Sequence, residues 1–109
     1  MYRGTTPNLY LELETELDLD SAREIWVTVK SSLSGFTKDK SEIHITPGEE
    51  EGVQQLVVSL SQNDTLQLST GRAKIQVRIL MPNGRAYATE IAEVDVDQIL
   101  RDGVITDED

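Results

Sequence analysis

The chain has 109 residues, typical of one domain, and its 38% hydrophobic and 28% charged residues fit a globular protein rather than a membrane-embedded or disordered one. It has no cysteine and one histidine, which excludes disulfide and thiol chemistry and leaves a zinc site almost without ligands. The net charge of −10 argues against nucleic acid and anionic membranes as partners, because each would bring like charges together.

Alternation of apolar and polar residues is the main pattern in the chain, and a period of two residues is typical of half-buried strands. Turn-forming residues such as Ser34-Gly35 and Pro47-Gly48 separate the alternating stretches. Six to eight short strands of this kind predict an all-β, antiparallel, immunoglobulin-like sandwich. In chain order, the predicted strands lie at 9–13, 25–29, 36–38, 43–45, 56–60 and 73–79, with a last one over 86–96.

Two short stretches have helical rather than strand character. Residues 62–68 and 97–101 each predict one helical turn, and either Ser61 or Asn63/Asp64 can cap the first of them. No linker or repeat interrupts the chain, so we expect residues 1–105 to form one domain. The acidic residues 106–109 that follow are expected to fray.

The sequence MPNGR at 81–85 carries the strongest turn signal. Pro82 presets φ for the first turn position and Gly84 accepts a positive φ, which favours a three-residue loop closing a hairpin. Such a loop places Ile79 opposite Tyr87 on the inward face of the sheet.

The second strand of this hairpin changes its apolar phase near 91–92, which predicts a β-bulge there. One extra residue places Lys74 opposite Glu93 and Arg72 opposite Asp95 on the outer face. Exposed pairs of this kind contribute at the low end of about 0.2–1 kcal/mol each, so their main effect is to specify the register.

The sequence contains no clear pattern of catalytic or metal-binding residues. The carboxylates fall at outward strand positions or in loops, and His44 alternates with Ile43 and Ile45 as an outward strand residue, so we expect no enzyme activity, catalytic residue or cofactor. A weak calcium site remains open at Asp18 and Asp20, or within 49–51, although neither matches an EF-hand loop. The simpler interpretation is that the two aspartates continue a strand edge and the glutamates solvate a loop tip.

Protein contacts have more candidates. Tyr10 and Trp26 point outward by parity and form a contact patch unless a loop or neighbouring strand covers them. The basic row Arg72, Lys74 and Arg78 either binds an acidic partner or is paired internally with Glu93 and Asp95. An apolar cluster after the last strand either caps the core or seats against a neighbouring subunit, and its members are Ile99, Leu100, Val104 and Ile105.

Three segments carry a resemblance: the opening MYRGTTP, LSQNDTL at 60–66 and VDVDQILRDGVI at 94–105. Together they resemble a group of small phage and prophage proteins from gut bacteria, nearly end to end. The resemblance implies a virion-associated, tail-region β-sandwich and no catalytic residues. The similarity to the immunoglobulin-like domain that begins phage baseplate upper proteins is much weaker.

We therefore expect a non-enzymatic phage structural or assembly protein that contacts other virion proteins or copies of itself. It would reside in the bacterial cytoplasm during assembly and then in the virion, since no signal peptide or membrane segment is expected. Its ends are acidic, with one arginine against five carboxylates in residues 1–20, which favours a basic partner. Two alternatives stay open: an inhibitor that mimics DNA, and a carbohydrate-binding module for host attachment.

Overall fold

The computed structural model describes residues 1–106 and confirms the all-β prediction. Within these residues the chain forms eight strands, one short α-helix and two 3-10 turns, at Leu19–Ser21 and Lys40–Glu42. The helix α1 spans Gln62–Leu66. The strands are β1 (Asn8–Glu14), β2 (Glu24–Lys30), β3 (Gly35–Lys38), β4 (Ile43–Pro47), β5 (Val53–Ser59), β6 (Gly71–Leu80), β7 (Ala86–Ala88) and β8 (Ala92–Val96).

The strands form two antiparallel sheets. The smaller sheet has the order β1-β5-β4, and the larger has the order β3-β2-β6, with β7 and β8 both pairing with β6. This is the order B-E-D and C′-C-F-G of the immunoglobulin sandwich, and no full A strand is present among residues 1–106. The N-terminal residues contribute one parallel bridge, between Tyr2 and Asp97, at the end of β8.

The inward positions of the alternating strands meet between the two sheets, as the sequence predicts. Leu56 and Val58 of β5 and Ile25, Val27 and Val29 of β2 are completely buried. Other buried apolar residues close the ends and sides of this core, namely Leu19, Ala22, Leu60, Leu68, Ala73, Ile75, Val77, Ile79 and Val96.

The predicted hairpin and its bulge are confirmed. The Met81 N–H donates to the Arg85 carbonyl at 2.9 Å, and Gly84 takes a φ of +86°. Ile79 pairs with Tyr87, so the first half has the expected register.

The register then shifts by one residue. Lys74 pairs with Glu93 and Arg72 with Asp95, as predicted. The break falls at 89–91, where the Thr89 hydroxyl accepts the Val77 N–H at 3.0 Å in place of a ladder bond.

Helix α1 joins β5 to β6 and starts with a capping box. The Asp64 N–H donates to Ser61 Oγ at 3.1 Å, while the Ser61 N–H donates to Asp64 Oδ2 at 2.8 Å. Asp64 also accepts from Lys38 Nζ of β3 at 2.8 Å, which ties the helix to the larger sheet. The helical turn predicted at 62–68 is thus confirmed over Gln62–Leu66.

Two local predictions are wrong. Residues 97–101 form a β-bridge at Asp97 followed by irregular chain rather than a helical turn, because the Asp97 N–H donates to the Met1 carbonyl and the Asp97 carbonyl accepts from the Arg3 N–H. Asp18 and Asp20 do not continue a strand edge, since Asp18 is the N-cap of a 3-10 turn and accepts from the Asp20 N–H.

No helix within residues 1–106 has the length and apolar character needed to cross a membrane. Thr106 is exposed, and the rest of the tail predicted to fray, 107–109, lies outside the described residues.

Candidate protein-contact surfaces

The structure places the candidate contact residues at three separate locations. Tyr10 is 61% exposed on the outer face of β1 in the smaller sheet, whereas Trp26 is 45% exposed on the outer face of β2 in the larger sheet. These faces point in opposite directions, so the two aromatics do not form one patch. The C-terminal apolar residues follow β8, whose last residue, Val96, pairs with Gly71 at the start of β6. Trp26 pairs with Arg78, which lies about 23 Å further along β6.

Trp26 lies in a shallow pocket of about 160 Å³ on the outer face of the larger sheet. Its neighbours across β6 and β7 are Arg78, Leu80 and Ala86, and the Arg78 guanidinium carbon is 5.6 Å from the centre of the indole ring. This is a cation–π arrangement, which holds the arginine over the ring. Tryptophan and arginine beside an apolar pocket are typical of the residues that dominate protein interfaces.

The basic row on this face is divided between different roles. Arg72 Nη1 binds Glu93 Oε2 at 2.8 Å, and its Nε lies 3.7 Å from Asp95 Oδ1, so the internal pairing predicted for Arg72 is confirmed. The hydrogen bond to Glu93 raises the pKa of the Arg72 guanidinium above its usual value.

Lys74 departs from the predicted pairing. It lies opposite Glu93 in the register, yet among residues 1–106 its ammonium has no carboxylate within 4.0 Å. The Glu93 carboxylate instead forms its ion pair with Arg72, which is its diagonal neighbour on β6. On its other side Lys74 faces Lys30 of β2. The two lysines are exposed at a groove lined also by Thr28 and Gln76.

The C-terminal apolar cluster is only partly a cap. Ile99 is half-buried and approaches Gly4, where an added methyl group would lie 3.2 Å from its Cδ1 and 3.4 Å from Leu66 Cδ2. The other three members stay exposed, with Leu100 fully so, Val104 at 46% and Ile105 at 77%.

Polar contacts hold this exposed segment in place. The Gln62 side chain of α1 bonds both backbone groups of Ile105, with Nε2 at 3.0 Å from the carbonyl oxygen. Arg3 pairs with Asp102, and it donates to the carbonyl of Leu66, the last residue of α1, at 3.0 Å and to that of Leu68 at 2.7 Å. One N-terminal arginine therefore joins the helix end and the C-terminal segment.

We expect Arg3→Ala to lower the free energy of unfolding by about 2 kcal/mol, because it removes three hydrogen bonds from a charged donor. It should also speed tryptic cleavage at Arg101. Urea unfolding and limited proteolysis check both effects. Arg23→Ala is the control, since Arg23 is exposed and its side chain forms no hydrogen bond within residues 1–106; equal effects of the two substitutions would contradict the role of Arg3.

The residues considered for chemistry are dispersed. His44 is exposed on the outer face of β4, opposite Val57. Asp18 and Asp20 belong to a 3-10 turn, and residues 49–51 lie in the exposed turn between β4 and β5. Within residues 1–106, no group of three or more His, Asp or Glu side chains is placed to hold a metal ion.

Sequence reasoning missed three features that matter for contacts. From the sequence, Arg3 contributes only to the charge balance of the N-terminal residues, because no neighbouring residue indicates that its side chain bonds to α1. The position of Arg78 over Trp26 depends on the register of β2 against β6. Alternation shows that each side chain points outward, but it does not show that the two strands are neighbours. The third feature is a groove of about 370 Å³ between β1 and the β7–β8 break, which exists because the sheets belong to one sandwich.

No protein-family model, curated protein or solved structure matches the chain.

Proposed function

We propose that the protein is a non-enzymatic structural or assembly protein of a phage or prophage particle, acting through protein–protein contacts. The observation that supports a contact role best is the Trp26 pocket, where an exposed indole, a stacked guanidinium and Leu80 lie on a rigid sheet. The phage assignment is supported by the resemblance of the three sequence segments. The Trp26 pocket is therefore the proposed main contact surface for other virion proteins.

The pocket suits a protein partner for a physical reason. The outward side chains of β2 and β6 project from the central hydrogen-bonded ladder of the larger sheet. Because this backbone is already ordered, binding a partner here costs little conformational entropy. A partner side chain inserted beside Trp26 would bury apolar surface while Arg78 offers its remaining donors to a carbonyl or carboxylate. Residues in such settings commonly contribute 2 kcal/mol or more to binding, roughly a thirtyfold change in affinity.

Trp26→Ala is therefore expected to reduce incorporation into particles by about thirtyfold. The measurement is quantitative detection of the tagged protein in density-gradient fractions of particles from an induced lysate. Leu33→Ala is the control, because Leu33 is an apolar residue that is 88% exposed in the turn between β2 and β3 and lies outside the Trp26 pocket. Thermal unfolding of both variants verifies that the fold is retained.

Two outcomes would contradict the proposal. Wild-type protein absent from every particle fraction would argue against the virion role. Wild-type protein present in particles, with equal incorporation of the Trp26 and Leu33 variants, would retain the virion role and reject the Trp26 surface.

The alternatives fit the surface less well. DNA mimicry requires carboxylates along one face, and the larger sheet instead presents Lys30, Arg72, Lys74 and Arg78. A sugar stacking on Trp26 would have to displace the Arg78 guanidinium from the ring. Retention of a host nuclease by the immobilised protein, or binding on a glycan array, would favour one of these functions instead.

A further inference from the structure

A groove of about 370 Å³ runs along one side of the sandwich, between an edge of each sheet. One wall is the backbone and side chains of residues 10–13 in β1. The other wall is formed by Thr89, Glu90 and Ala92 at the β7–β8 break, and the inward residues Ile75 and Val77 form the floor. Leu11 and Leu13, which point into the sandwich, stay half-buried because nothing within residues 1–106 covers them from this side.

Both walls offer unpaired strand edges. β1 pairs with β5 along one edge, and no strand within residues 1–106 pairs with its other edge. β8 pairs with β6, and its free edge meets the N-terminal residues only at its end, where the Met1 ammonium donates to the Asp95 carbonyl at 2.9 Å and the Asp97 N–H donates to the Met1 carbonyl at 2.6 Å.

These bonds form a short parallel ladder between residues 1–3 and the end of β8. Because backbone groups of alternate residues point to the same side of a strand, the N–H and C=O of Glu93 face the same free edge as those of Asp95 and Asp97. A strand continuing the line of Met1–Arg3 beyond Met1 would bond these groups and place its inward side chains against Leu11 and Leu13. The groove has the position that an A strand takes in immunoglobulin sandwiches.

The charge of the groove indicates what kind of strand fits. The charged residues that line it are Glu12 and Glu90, and neither has a cation within 4.0 Å among residues 1–106. Glu93 and Asp95 stand beside it on the outer face, where both are within 4.0 Å of Arg72. The attraction for an incoming strand with lysine or arginine at its outward positions therefore comes mainly from Glu12 and Glu90.

We propose that this groove binds an extended, basic segment of a partner protein, which adds a strand parallel to β8 and fills the space over Leu11 and Leu13 with alternate apolar side chains. Backbone pairing supplies the affinity of such strand addition, and the alternate side chains supply specificity. A second copy of this chain is a poorer occupant, because its β1 edge carries Glu12 and Glu14 and both molecules have a net charge of −10.

The test places a strand in the groove by attaching it to the chain itself. The segment Val-Lys-Val-Lys-Val-Lys is fused directly before Met1; six residues span about 20 Å, enough to pass Ala92. Met1 packs toward the core and Tyr2 points outward, so the valines of this segment point inward and the lysines outward. Two matched extensions serve as controls: one with glutamate replacing each lysine, and one with proline replacing each valine, which removes the N–H donors directed at β8.

We expect the basic extension to raise Tm by about 5 °C or more and to slow amide exchange at Glu93 and Asp95 at least about tenfold. The proline extension should do neither. Equal behaviour of the basic and proline extensions would overturn the proposal of strand addition, and equal protection by the basic and acidic extensions would overturn the basic character of the partner. If the unextended chain gains protection at Glu93 as its own concentration rises, the occupant is a second copy and the proposal is wrong.

Reversing the charge of the groove itself also tests whether the groove prefers a basic strand. In Glu12→Lys/Glu90→Lys, the basic extension should lose its advantage in Tm over the acidic one. Glu49→Lys/Glu50→Lys changes the charge equally in the exposed β4–β5 turn, away from the groove, and should leave the order of the two extensions unchanged. An unchanged order in both variants would overturn the role of the groove carboxylates. These results do not depend on the virion role, so the two proposals can fail separately.

Discussion

Asp64→Ala is expected to lower the free energy of unfolding by about 3 kcal/mol, near the lower end of the cost of breaking a buried ion pair. The substitution removes the more buried of the two carboxylates that bind Lys38, whose side chain is 15% exposed, and leaves only Glu42 at 3.1 Å. It also removes half of the α1 capping box. The lysine would then lose a carboxylate at 2.8 Å in a position where water replaces it poorly.

The cost should depend on pH in a defined direction. Burial alone would raise the pKa of Asp64, but the hydrogen bonds from Lys38 and Ser61 outweigh it and hold this pKa below its usual value. Burial likewise lowers the pKa of Lys38, and the bonds to Asp64 and Glu42 overcome it and raise that pKa.

A lowered carboxyl pKa stabilises the fold above the unfolded pKa of about 4, and this stability is lost as pH falls through the folded value. A raised lysine pKa stabilises the fold below about pH 10.4, and this stability is lost as pH rises through the folded value. The difference in unfolding free energy between the wild type and Asp64→Ala should therefore be largest near neutral pH and shrink at both extremes. Urea unfolding across pH measures it.

Asp18→Ala is the matched control, because Asp18 also caps a helical turn but is exposed and has no cation within 4.0 Å among residues 1–106. We expect it to cost about 1 kcal/mol. A cost for Asp64→Ala no larger than this, or one that is independent of pH, would contradict the importance of the ion pair.

Gly35→Ala is the second substitution with a large expected effect, also about 3 kcal/mol. Gly35 opens β3 and pairs with Lys30, and a Cβ there would lie 2.8 Å from the Lys30 Cα and even closer to the Val29 carbonyl oxygen. Both obstacles are backbone atoms of the central strand β2, so relief requires β3 to move away from β2. Thermal and urea unfolding measure the loss.

Gly52→Ala separates steric overlap from backbone strain. Gly52 has a φ of +84°, yet nothing lies within 4 Å of an added Cβ. Only the cost of a left-handed alanine remains, about 1 kcal/mol. If Gly35→Ala costs as little as Gly52→Ala, the close approach of β3 to β2 is not required for stability.

The prediction of the fold succeeded where the information was local. Alternation gives the phase of each strand, and Pro82, Asn83 and Gly84 specify the hairpin from which the pairing of Arg72 with Asp95 follows by counting. The error at Asp18 and Asp20 has a local cause, the cap of a 3-10 turn, whereas the error at 97–101 has a long-range cause. Residues 97–101 carry a helical pattern, but the N-terminal residues, more than ninety positions away, take the Asp97 backbone groups into a β-bridge.

The contact surfaces follow the same division. Outward positions for Tyr10 and Trp26 come from parity alone, and both are exposed. Parity does not say which sheet a strand joins, so the separation of these aromatics onto opposite faces was not predictable, and nor was the Trp26–Arg78 contact.

The sequence by itself therefore determined which side chains of each strand point inward, where the chain turns, and the acidic balance of both ends, because these depend on neighbours a few residues apart. Only the tertiary structure decided which strands pair and which edges stay open. Those properties arise from closing long loops into two sheets. The ladder that Met1 begins, and the groove beyond it, exist because β1 and β8 belong to different sheets of one sandwich.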